Sequence, residues 1–114
     1  MKTKHLQTLA LGLACLTATI ASTKAADVKA NWDKHCASCH AKDGTGNTKM
    51  GKKADVKDWT DPKVQESVSD DKAFKSVKEG LTEKGKERMK PYAEKVSDEE
   101  IKALIAHMRT LVKK

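Results

Sequence analysis

Cys36-Ala37-Ser38-Cys39-His40, at residues 36 to 40, is the stretch that decides the fold of this chain. The spacing C-x-x-C-H is typical of covalent attachment of a c-type haem. Two thiols at this spacing can each form a thioether with a vinyl group of one porphyrin, and the adjacent imidazole can bind the iron from the proximal side. The motif therefore predicts one haem c, attached through Cys36 and Cys39, with His40 as an axial iron ligand.

Two other uses of paired cysteines compete with haem attachment. A redox-active dithiol of the thioredoxin kind normally lies where a strand leads into a helix in a βαβ unit, and no strand pattern precedes Cys36. A structural zinc site needs four ligands, often from a second pair, whereas only Cys36, Cys39 and His40 cluster in the sequence. Neither use accounts for the histidine as well as a haem does.

The N-terminus has the pattern of a secretory signal peptide. Lys2 and Lys4 form a basic start, Leu6 to Ile20 is mostly apolar, and small residues stand at the −3 and −1 positions before a cleavage site after Ala25. The apolar stretch is too short, and too rich in threonine and glycine, for a membrane span. We therefore predict a signal peptide over residues 1–25, export to the periplasm and no stable membrane insertion.

A lipoprotein signal that lipidates Cys15 is the alternative, although Gly12 stands where such signals prefer a larger aliphatic residue. Cleavage after Ala25 leaves one domain, residues 26–114. A domain of this size buries a modest fraction of its surface and often needs a cofactor or crosslink for stability. Because the whole chain has only two tryptophans, one tyrosine and one phenylalanine, a buried porphyrin would supply much of the core.

The charge of the mature chain is only mildly positive. Residues 26–114 contain 20 basic and 16 acidic side chains, because three lysines are removed with the predicted signal. A nucleic-acid partner would require a concentrated basic stripe or a binding motif, and the sequence has neither. We therefore expect no nucleic-acid partner.

Helix signals favour an all-α fold. A first helix is predicted over Asp27 to Cys39, where apolar side chains recur every four residues. Asp61-Pro62 is a typical helix start, with Asp as the N-cap and Pro at the first helical position. Another helix is predicted to open at Ser69 and to end at Gly80.

The last helix has the strongest pattern. Ser97 and Glu100 form a predicted capping box, and the apolar residues behind it form one stripe: Ile101, Leu104, Ile105, Met108, Leu111 and Val112. The glycine-containing segments Ala41 to Asp58 and Gly85 to Pro91 are predicted to be loops. We expect three to five helices wrapped around one covalently attached haem, without strands.

The second axial ligand must come from the other side of the porphyrin. The histidine and methionine candidates after the signal are His35, Met50, Met89, Met108 and His107. Met89 is favoured, because it lies 49 residues after His40 in a predicted loop that Pro91 stiffens. His35 lies on the proximal side, Met50 is close to His40 in the sequence, and Met108 belongs to the apolar stripe of the last helix.

The sequence resembles the bacterial class I c-type cytochromes, which are small monohaem proteins. The resemblance covers essentially all of residues 26–114 and rests on three features: the C-x-x-C-H motif, Met89 followed by a proline, and Val96-Ser97-Asp98-Glu99-Glu100-Ile101 before an amphipathic helix. It implies the cytochrome c fold, in which the first and last helices cross. It also implies one covalent haem c with His40 and Met89 as its axial ligands.

The resemblance also assigns roles to three further residues. Trp32 takes the usual aromatic position at the helix crossing and is expected to pack against Leu104 and His107. His107 replaces the usual aromatic residue, as a packing or surface histidine or as an alternative ligand after partial unfolding. Trp59 has two interpretations: its indole donates to a haem propionate, or it is part of the core. The Gly-Pro pair that often orients the proximal histidine has no match, and Met50-Gly51 or Lys52 is nearest.

These features predict a monomeric periplasmic one-electron carrier and no enzymatic activity. His/Met ligation leaves no open coordination position, which suits electron transfer. The expected donor is a quinol-oxidising complex or a dehydrogenase, and the expected acceptor is an oxidase, reductase or peroxidase. Loop lysines near the motif and near Met89 could attract acidic partners. A haem enzyme or gas sensor with an open distal site is the alternative if Met89 does not bind.

Overall fold

The structure is a computed structural model that describes Gly12 and residues 23–114, with side chains from Asp27 onward. The predicted signal peptide, including Cys15, lies almost wholly outside the described residues and stays a prediction. Among residues 23–114, five helical segments and one short hairpin follow one another. The predicted all-α architecture is confirmed, apart from the short hairpin. No helix in this part of the chain is long and apolar enough to cross a membrane.

The first helical segment leads directly into the C-x-x-C-H motif. It consists of α1 (Thr23–Asn31), a π-helical stretch (Trp32–Cys36) and α2 (Ala37–His40). The amide of Ala37 donates to the carbonyl of Trp32, five residues earlier, which is the π-type bond. The predicted helix is therefore confirmed, but the wider turn within it was not predicted. Such π-helical insertions are frequent at functional sites.

The segment Ala41 to Asp58 is not entirely loop, because it contains the short helix α3 (Lys49–Ala54). Thr48 is its N-cap, and the Thr48 side chain accepts a hydrogen bond from the Gly51 amide. The helix ends at Asp55, which has left-handed backbone angles. The prediction was wrong here because α3 is too short and too polar to show an apolar repeat.

The two middle helices begin and end at the predicted signals. Helix α4 (Pro62–Ser67) is capped by Asp61, which accepts from the Lys63 amide. Helix α5 (Asp70–Glu79) is capped by Ser69 and followed by Gly80, at a φ of 83°. Both starts are explained by a short polar side chain that satisfies a free backbone N–H group.

The segment after Gly80 is also not a simple loop. Strands β1 (Leu81–Glu83) and β2 (Lys86–Met89) pair antiparallel. Lys84 and Gly85 connect them, with φ values of 51° and 73°, as a two-residue hairpin turn requires. The prediction of a loop was wrong because these strands are mostly charged and show no apolar alternation. Leu81 lies opposite Met89 in the ladder, so the pairing fixes the backbone at Met89.

The last helix, α6 (Asp98–Thr110), closes the fold. Its capping box is confirmed, with Ser97 and Glu100 bonded to each other's backbone amides. The other carboxylate oxygen of Glu100 accepts from the Asn31 side chain at 2.7 Å, which joins α6 to α1. Four residues of the apolar stripe are buried, Ile101, Leu104, Ile105 and Met108, and Ile101 is completely inaccessible. The core lies between the first segment, α5 and α6 and contains these residues: Trp32, Trp59, Val68, Ala73, Val96, Ile101, Leu104, Ile105 and Met108.

Arg109 ties the end of α6 to the middle of the chain. Its guanidinium donates to the carbonyl and side-chain oxygens of Gln65 at 2.7 and 2.8 Å, to the carbonyl of Val68 at 2.6 Å and to the Asp70 carboxylate at 2.9 Å. The Gln65 amide in turn donates to the carbonyls of Trp59 and Met108. One guanidinium thus holds the connection between α4 and α5 against α6.

Replacement of Arg109 by methionine should lower the free energy of unfolding by about 2–3 kcal/mol, because hydrogen bonds from a charged donor are lost and acceptors are left without partners. Lys102→Met, an exposed substitution on the same helix, should change it by less than about 0.5 kcal/mol. Denaturant unfolding of the haem-containing protein measures both. Equal effects would show that Arg109 has no special role.

Candidate functional site

The C-x-x-C-H motif lies at the end of the first helical segment. Cys36 and Cys39 are free thiols of intermediate exposure. His40 is four residues after Cys36 and directly follows Cys39, so helical geometry brings the two thiols and the imidazole to one side of the chain. The helix ends at Ala41, whose amide donates to the Ala37 carbonyl. This donor set, two thiols and an imidazole from one helix end, has the chemistry that covalent haem attachment requires.

The imidazole of His40 is half-buried. Burial lowers the pKa of His40, which favours the unprotonated form that binds metals. Its Nδ1 atom is buried without a hydrogen-bond partner among the described residues. Gly51 belongs to the segment that stands nearest to where related proteins have a Gly-Pro pair. Its carbonyl does not accept from His40 and accepts from the amides of Asp55 and Val56. The ring is thus fixed by packing, and its orphaned nitrogen is a polar group that the protein alone does not satisfy.

The thiol chemistry argues against a redox dithiol. Burial and the neighbouring Cys39 raise the pKa of Cys36 to about 12, whereas thioredoxin-type cysteines react because their pKa is lowered. The motif also lies at the end of a helix and not at a turn after a strand. The zinc interpretation gains no support either, since no three potential ligands among the described histidines, cysteines and acidic residues are grouped around a common point.

Helix α3 packs directly onto the motif. The Thr48 hydroxyl donates to the carbonyl of Cys39 at 2.7 Å and accepts from the Gly51 amide at 2.8 Å. Gly51 is buried, and a Cβ atom on it would lie only 2.3 Å from the same Cys39 oxygen. The carbonyl of His40 accepts from the Gly46 amide at 2.9 Å. Thr48 and Gly51 were not predicted; the threonine N-cap before a glycine-containing turn was their only signal in the sequence.

Met89 is the last residue of β2 and is half-buried. Strand β2 runs beside α3, so the segment with Met89 and the attachment motif border the same short helix. The backbone after Met89 is held close to the end of α5: a Cβ atom on Gly80 would lie 2.8 Å from the Met89 carbonyl oxygen. The Tyr92 amide donates to the Val77 carbonyl at 2.9 Å. These contacts fix the backbone on both sides of Pro91.

The remaining ligand candidates have other environments. Met108 is 6% exposed and belongs to the core, as its place in the apolar stripe predicts. The ring of His35 lies edge-on to Tyr92, with 6.0 Å between the centroids. Met50 is 53% exposed on α3. His35 therefore packs beside Tyr92 on the segment that carries the motif, Met50 faces solvent and Met108 fills the core, whereas Met89 lies in a separate half-buried segment.

The two tryptophans are both buried. The Trp32 ring lies 5.2 Å from the His107 ring and 5.9 Å from the His40 ring, so the expected contact with His107 at the helix crossing is confirmed. Its indole nitrogen donates to the Ala41 carbonyl at 3.0 Å. The Trp59 amide donates to the Gly44 carbonyl, and the Trp59 carbonyl accepts from the Gln65 side chain. Trp59 belongs to the buried core, as one of its two interpretations expects, and its contact with a haem propionate stays a prediction.

Comparison with known proteins agrees with this architecture. The sequence model of the family described as "Cytochrome C oxidase, cbb3-type, subunit III" matches residues 23–108. The solved structure of the KustC0563 c-type cytochrome is similar, with 29% identity, a TM-score of 0.65 and coverage of 75% of this chain and 96% of that chain. A mutant of the same cytochrome matches with 30% identity, a TM-score of 0.66 and coverage of 75% and 98%. No curated protein sequence matches.

A C-x-x-C-H motif on the first helix, crossed by a capped last helix, defines a small class I c-type cytochrome. The chain belongs to the family of the cbb3-type oxidase subunit III cytochromes, whose model spans most of it. Membership implies one covalently attached haem c. It also implies a role in electron transport, since c-type cytochromes are generally electron carriers and not enzymes.

Loss of the Thr48 hydroxyl should loosen the contact between α3 and the motif. We expect Thr48→Val to lower the free energy of unfolding by about 1–3 kcal/mol, because the Cys39 carbonyl and the Gly51 amide both lose their partner. Thr48→Ser retains the hydroxyl and serves as the matched control, with a smaller loss. Denaturant unfolding of the haem-containing protein measures both variants, and equal losses would contradict the role assigned to the hydroxyl.

Proposed function

We propose that this protein is a one-electron carrier whose haem c is attached through Cys36 and Cys39 and bound axially by His40 and Met89. The observation that carries the proposal is the motif itself: one helix end presents two free thiols and a half-buried imidazole whose pKa is lowered by burial. Bound there, the haem supplies reversible uptake of one electron at its iron. The residues of the chain supply attachment, axial ligation and exclusion of water.

The proximal side is assigned to His40. Trp32 and the bonded turn to Gly46 hold this residue in place, and the lowered pKa keeps its imidazole free of a proton that would compete with iron. An imidazole bound through one ring nitrogen usually donates from the other to an acceptor. Since Nδ1 has no such partner among the described residues, packing is the main constraint on the ring orientation.

The distal side is assigned to Met89. A thioether is a weak ligand, so the backbone that carries it must be held in place. Here the ladder pairing with Leu81, the close approach of Gly80 and the Tyr92–Val77 bond restrict this backbone. His/Met ligation leaves no position for oxygen or substrate and favours a high reduction potential, which suits a carrier better than an enzyme or a gas sensor.

We further propose that Trp59 donates its indole hydrogen to a haem propionate. The side chain is 8% exposed, and a buried indole usually has an acceptor. No hydrogen bond from this indole nitrogen to the described residues is found, and the nitrogen is not among the buried polar atoms that lack a partner, so it is accessible to an acceptor from outside the chain. The Gln65 bond to the Trp59 carbonyl at 2.6 Å would hold the residue in position for such a contact.

The proposed location is the periplasm, by the signal-peptide pattern at residues 1–25. There a monomeric carrier would take one electron from a quinol-oxidising complex or a dehydrogenase. It would deliver that electron to an oxidase, a reductase or a peroxidase. Complexes of this kind are transient and have small interfaces.

Substitution of Met89 tests the ligand assignment. Protein matured in a periplasm with haem-attachment machinery should show low-spin spectra and the weak far-red band of sulfur bound to ferric iron. Met89→Ala should abolish this band and allow rapid binding of carbon monoxide to the reduced protein. Met50→Ala, the matched control, should leave both unchanged. If the wild type is high-spin and binds carbon monoxide promptly, the open-site alternative is correct.

The position of Met89 can be tested through two glycines that both have a positive φ. Gly80 and Gly85 have φ values of 83° and 73°, so alanine is strained at both positions, and more so at Gly80, whose ψ of 174° lies in a region almost confined to glycine. Only at Gly80 would the new Cβ meet Met89, since nothing lies within 4 Å of it at Gly85. Gly80→Ala should weaken the sulfur–iron band, whereas Gly85→Ala should retain it. Equal bands in the two variants would contradict the proposed support of Met89.

A further inference from the structure

The chain after α6 turns back onto the loop that follows the attachment motif. Leu111 caps the end of α6 and still has helical backbone angles. Two residues later, the Lys113 amide donates to the carbonyl of Thr60 at 2.9 Å. We call residues 111–113 the α6 extension. This segment therefore joins the end of the last helix to the residue that directly follows Trp59.

Leu111 contacts the loop through a glycine. Gly44 is buried, and a Cβ atom on it would lie 2.7 Å from the Leu111 Cδ1 atom and 3.4 Å from the Trp59 Cβ atom. The bare backbone of Gly44 thus lets the leucine side chain approach closely. The carbonyl of the same glycine accepts from the Trp59 amide at 2.9 Å. Since Leu111 also packs against the hydrophobic core, one side chain holds the backbone to which Trp59 is bonded.

The loop has little apolar packing of its own. Residues 42–47 have the sequence Lys-Asp-Gly-Thr-Gly-Asn, without an apolar side chain. A polar segment with two glycines gains little from burial and loses much conformational entropy when it becomes ordered. The apolar contacts that fix this loop come from outside it, from Leu111 at Gly44 and from Val56 at Gly46. The position of Gly44, and of the bond to Trp59, therefore depends on Leu111.

The Lys113 amide fixes the peptide group on the other side of Trp59. Thr60 is buried, and its amide and hydroxyl both donate to the Asp58 carboxylate, at 2.9 and 2.6 Å. Its carbonyl accepts from the Lys113 amide. A buried carbonyl that loses its donor costs free energy comparable to a lost hydrogen bond. Together with the Gln65 side chain on the Trp59 carbonyl, this bond restricts the backbone that carries the indole.

We propose that the α6 extension positions Trp59 for its contact with a haem propionate, with the Leu111 side chain and the Lys113 amide as the positioning groups. The inference rests on the proposed propionate contact and adds two groups that act through Trp59. A hydrogen bond weakens steeply when donor and acceptor are misaligned, so the indole must be held at a fixed angle. Loss of either positioning group leaves the indole in the chain but less well aligned.

Hydrogen exchange at the two tryptophan indoles tests the inference in the reduced, haem-containing protein. NMR gives one indole N–H signal for each of the two tryptophans of the chain. Trp32 is the internal reference, because its indole donates to a backbone carbonyl within the chain. Leu111→Ala and Lys113→Pro should each speed exchange at Trp59 at least about tenfold, while the rate at Trp32 changes less than about twofold.

Each variant has a matched control. Val112→Ala removes the neighbouring aliphatic side chain, and Lys113→Ala removes the lysine side chain but keeps the amide. Neither should change exchange at Trp59 by more than about twofold. Leu111→Met keeps an apolar side chain of similar size and should retain most of the wild-type protection. Equal acceleration at Trp32 and Trp59 would indicate a general loss of stability and would overturn the positioning role.

The pH dependence of the midpoint potential is a second readout. An indole hydrogen bond favours the ionised form of a propionate and lowers its pKa. Trp59→Phe keeps a ring but removes the donor, so the pH range in which the potential falls should move upwards by about one unit. Leu111→Ala and Lys113→Pro should move this range in the same direction by a smaller amount, and their controls should leave it in place.

The outcomes separate this inference from the proposed function. The sulfur–iron band reports on Met89 and should be the same in every variant, so the ligand assignment is judged independently. Rapid exchange at Trp59 in the wild type would refute the propionate contact and the inference with it. Slow exchange at Trp59 in the wild type, in Leu111→Ala and in Lys113→Pro would refute only the role of the α6 extension.

Discussion

Trp32 makes the contact on which the rest of the structure depends. Its ring lies close to the imidazoles of both His40 and His107, so one side chain joins the attachment motif to the last helix. Its indole nitrogen also bonds the Ala41 carbonyl, where the first helical segment ends. Truncation of a buried tryptophan costs about 3–5 kcal/mol, a large part of the stability of a small domain. The motif is thus anchored by packing before any cofactor contributes.

A hydrogen-bonded network at the end of α6 adds to the stabilisation that Trp32 provides. Arg109 and Gln65 join the end of α6 to the carbonyls of Trp59, Val68 and Met108. The Asn31–Glu100 bond holds the start of α6 against α1. Helix α6 is therefore fixed at both ends, and the elements between are short and carry glycines at tight approaches. These contacts restrict the backbone that carries the proposed ligands, while the surface that faces solvent is polar.

Much of this arrangement could be predicted from the sequence. The capping residues Asp61, Ser69 and Ser97 start helices as expected, because a short polar side chain at such a place has a specific local role. The C-x-x-C-H motif is equally local. The contact of Trp32 with His107 follows from the resemblance to known cytochromes, since periodicity alone does not say which helices cross.

Other features could not be predicted, for physical reasons. Helix α3 and the hairpin are polar and short, so their stability comes from tertiary contacts such as the Thr48–Cys39 bond and not from an apolar repeat. The π-helical turn before Cys36 has no composition signal. The close approaches at Gly51 and Gly80 depend on where distant backbone segments lie. The distal ligand and the Trp59 contact involve a group outside the chain, so they stay predictions.

The partial burial of Cys36 has a consequence for the reactivity of its thiol. Because its pKa is raised to about 12, this thiol is almost entirely protonated at neutral pH. In the packed chain this sulfur is therefore poorly reactive towards oxidants, and it is equally slow to add to a vinyl group. The packing that would protect a finished thioether hinders its formation.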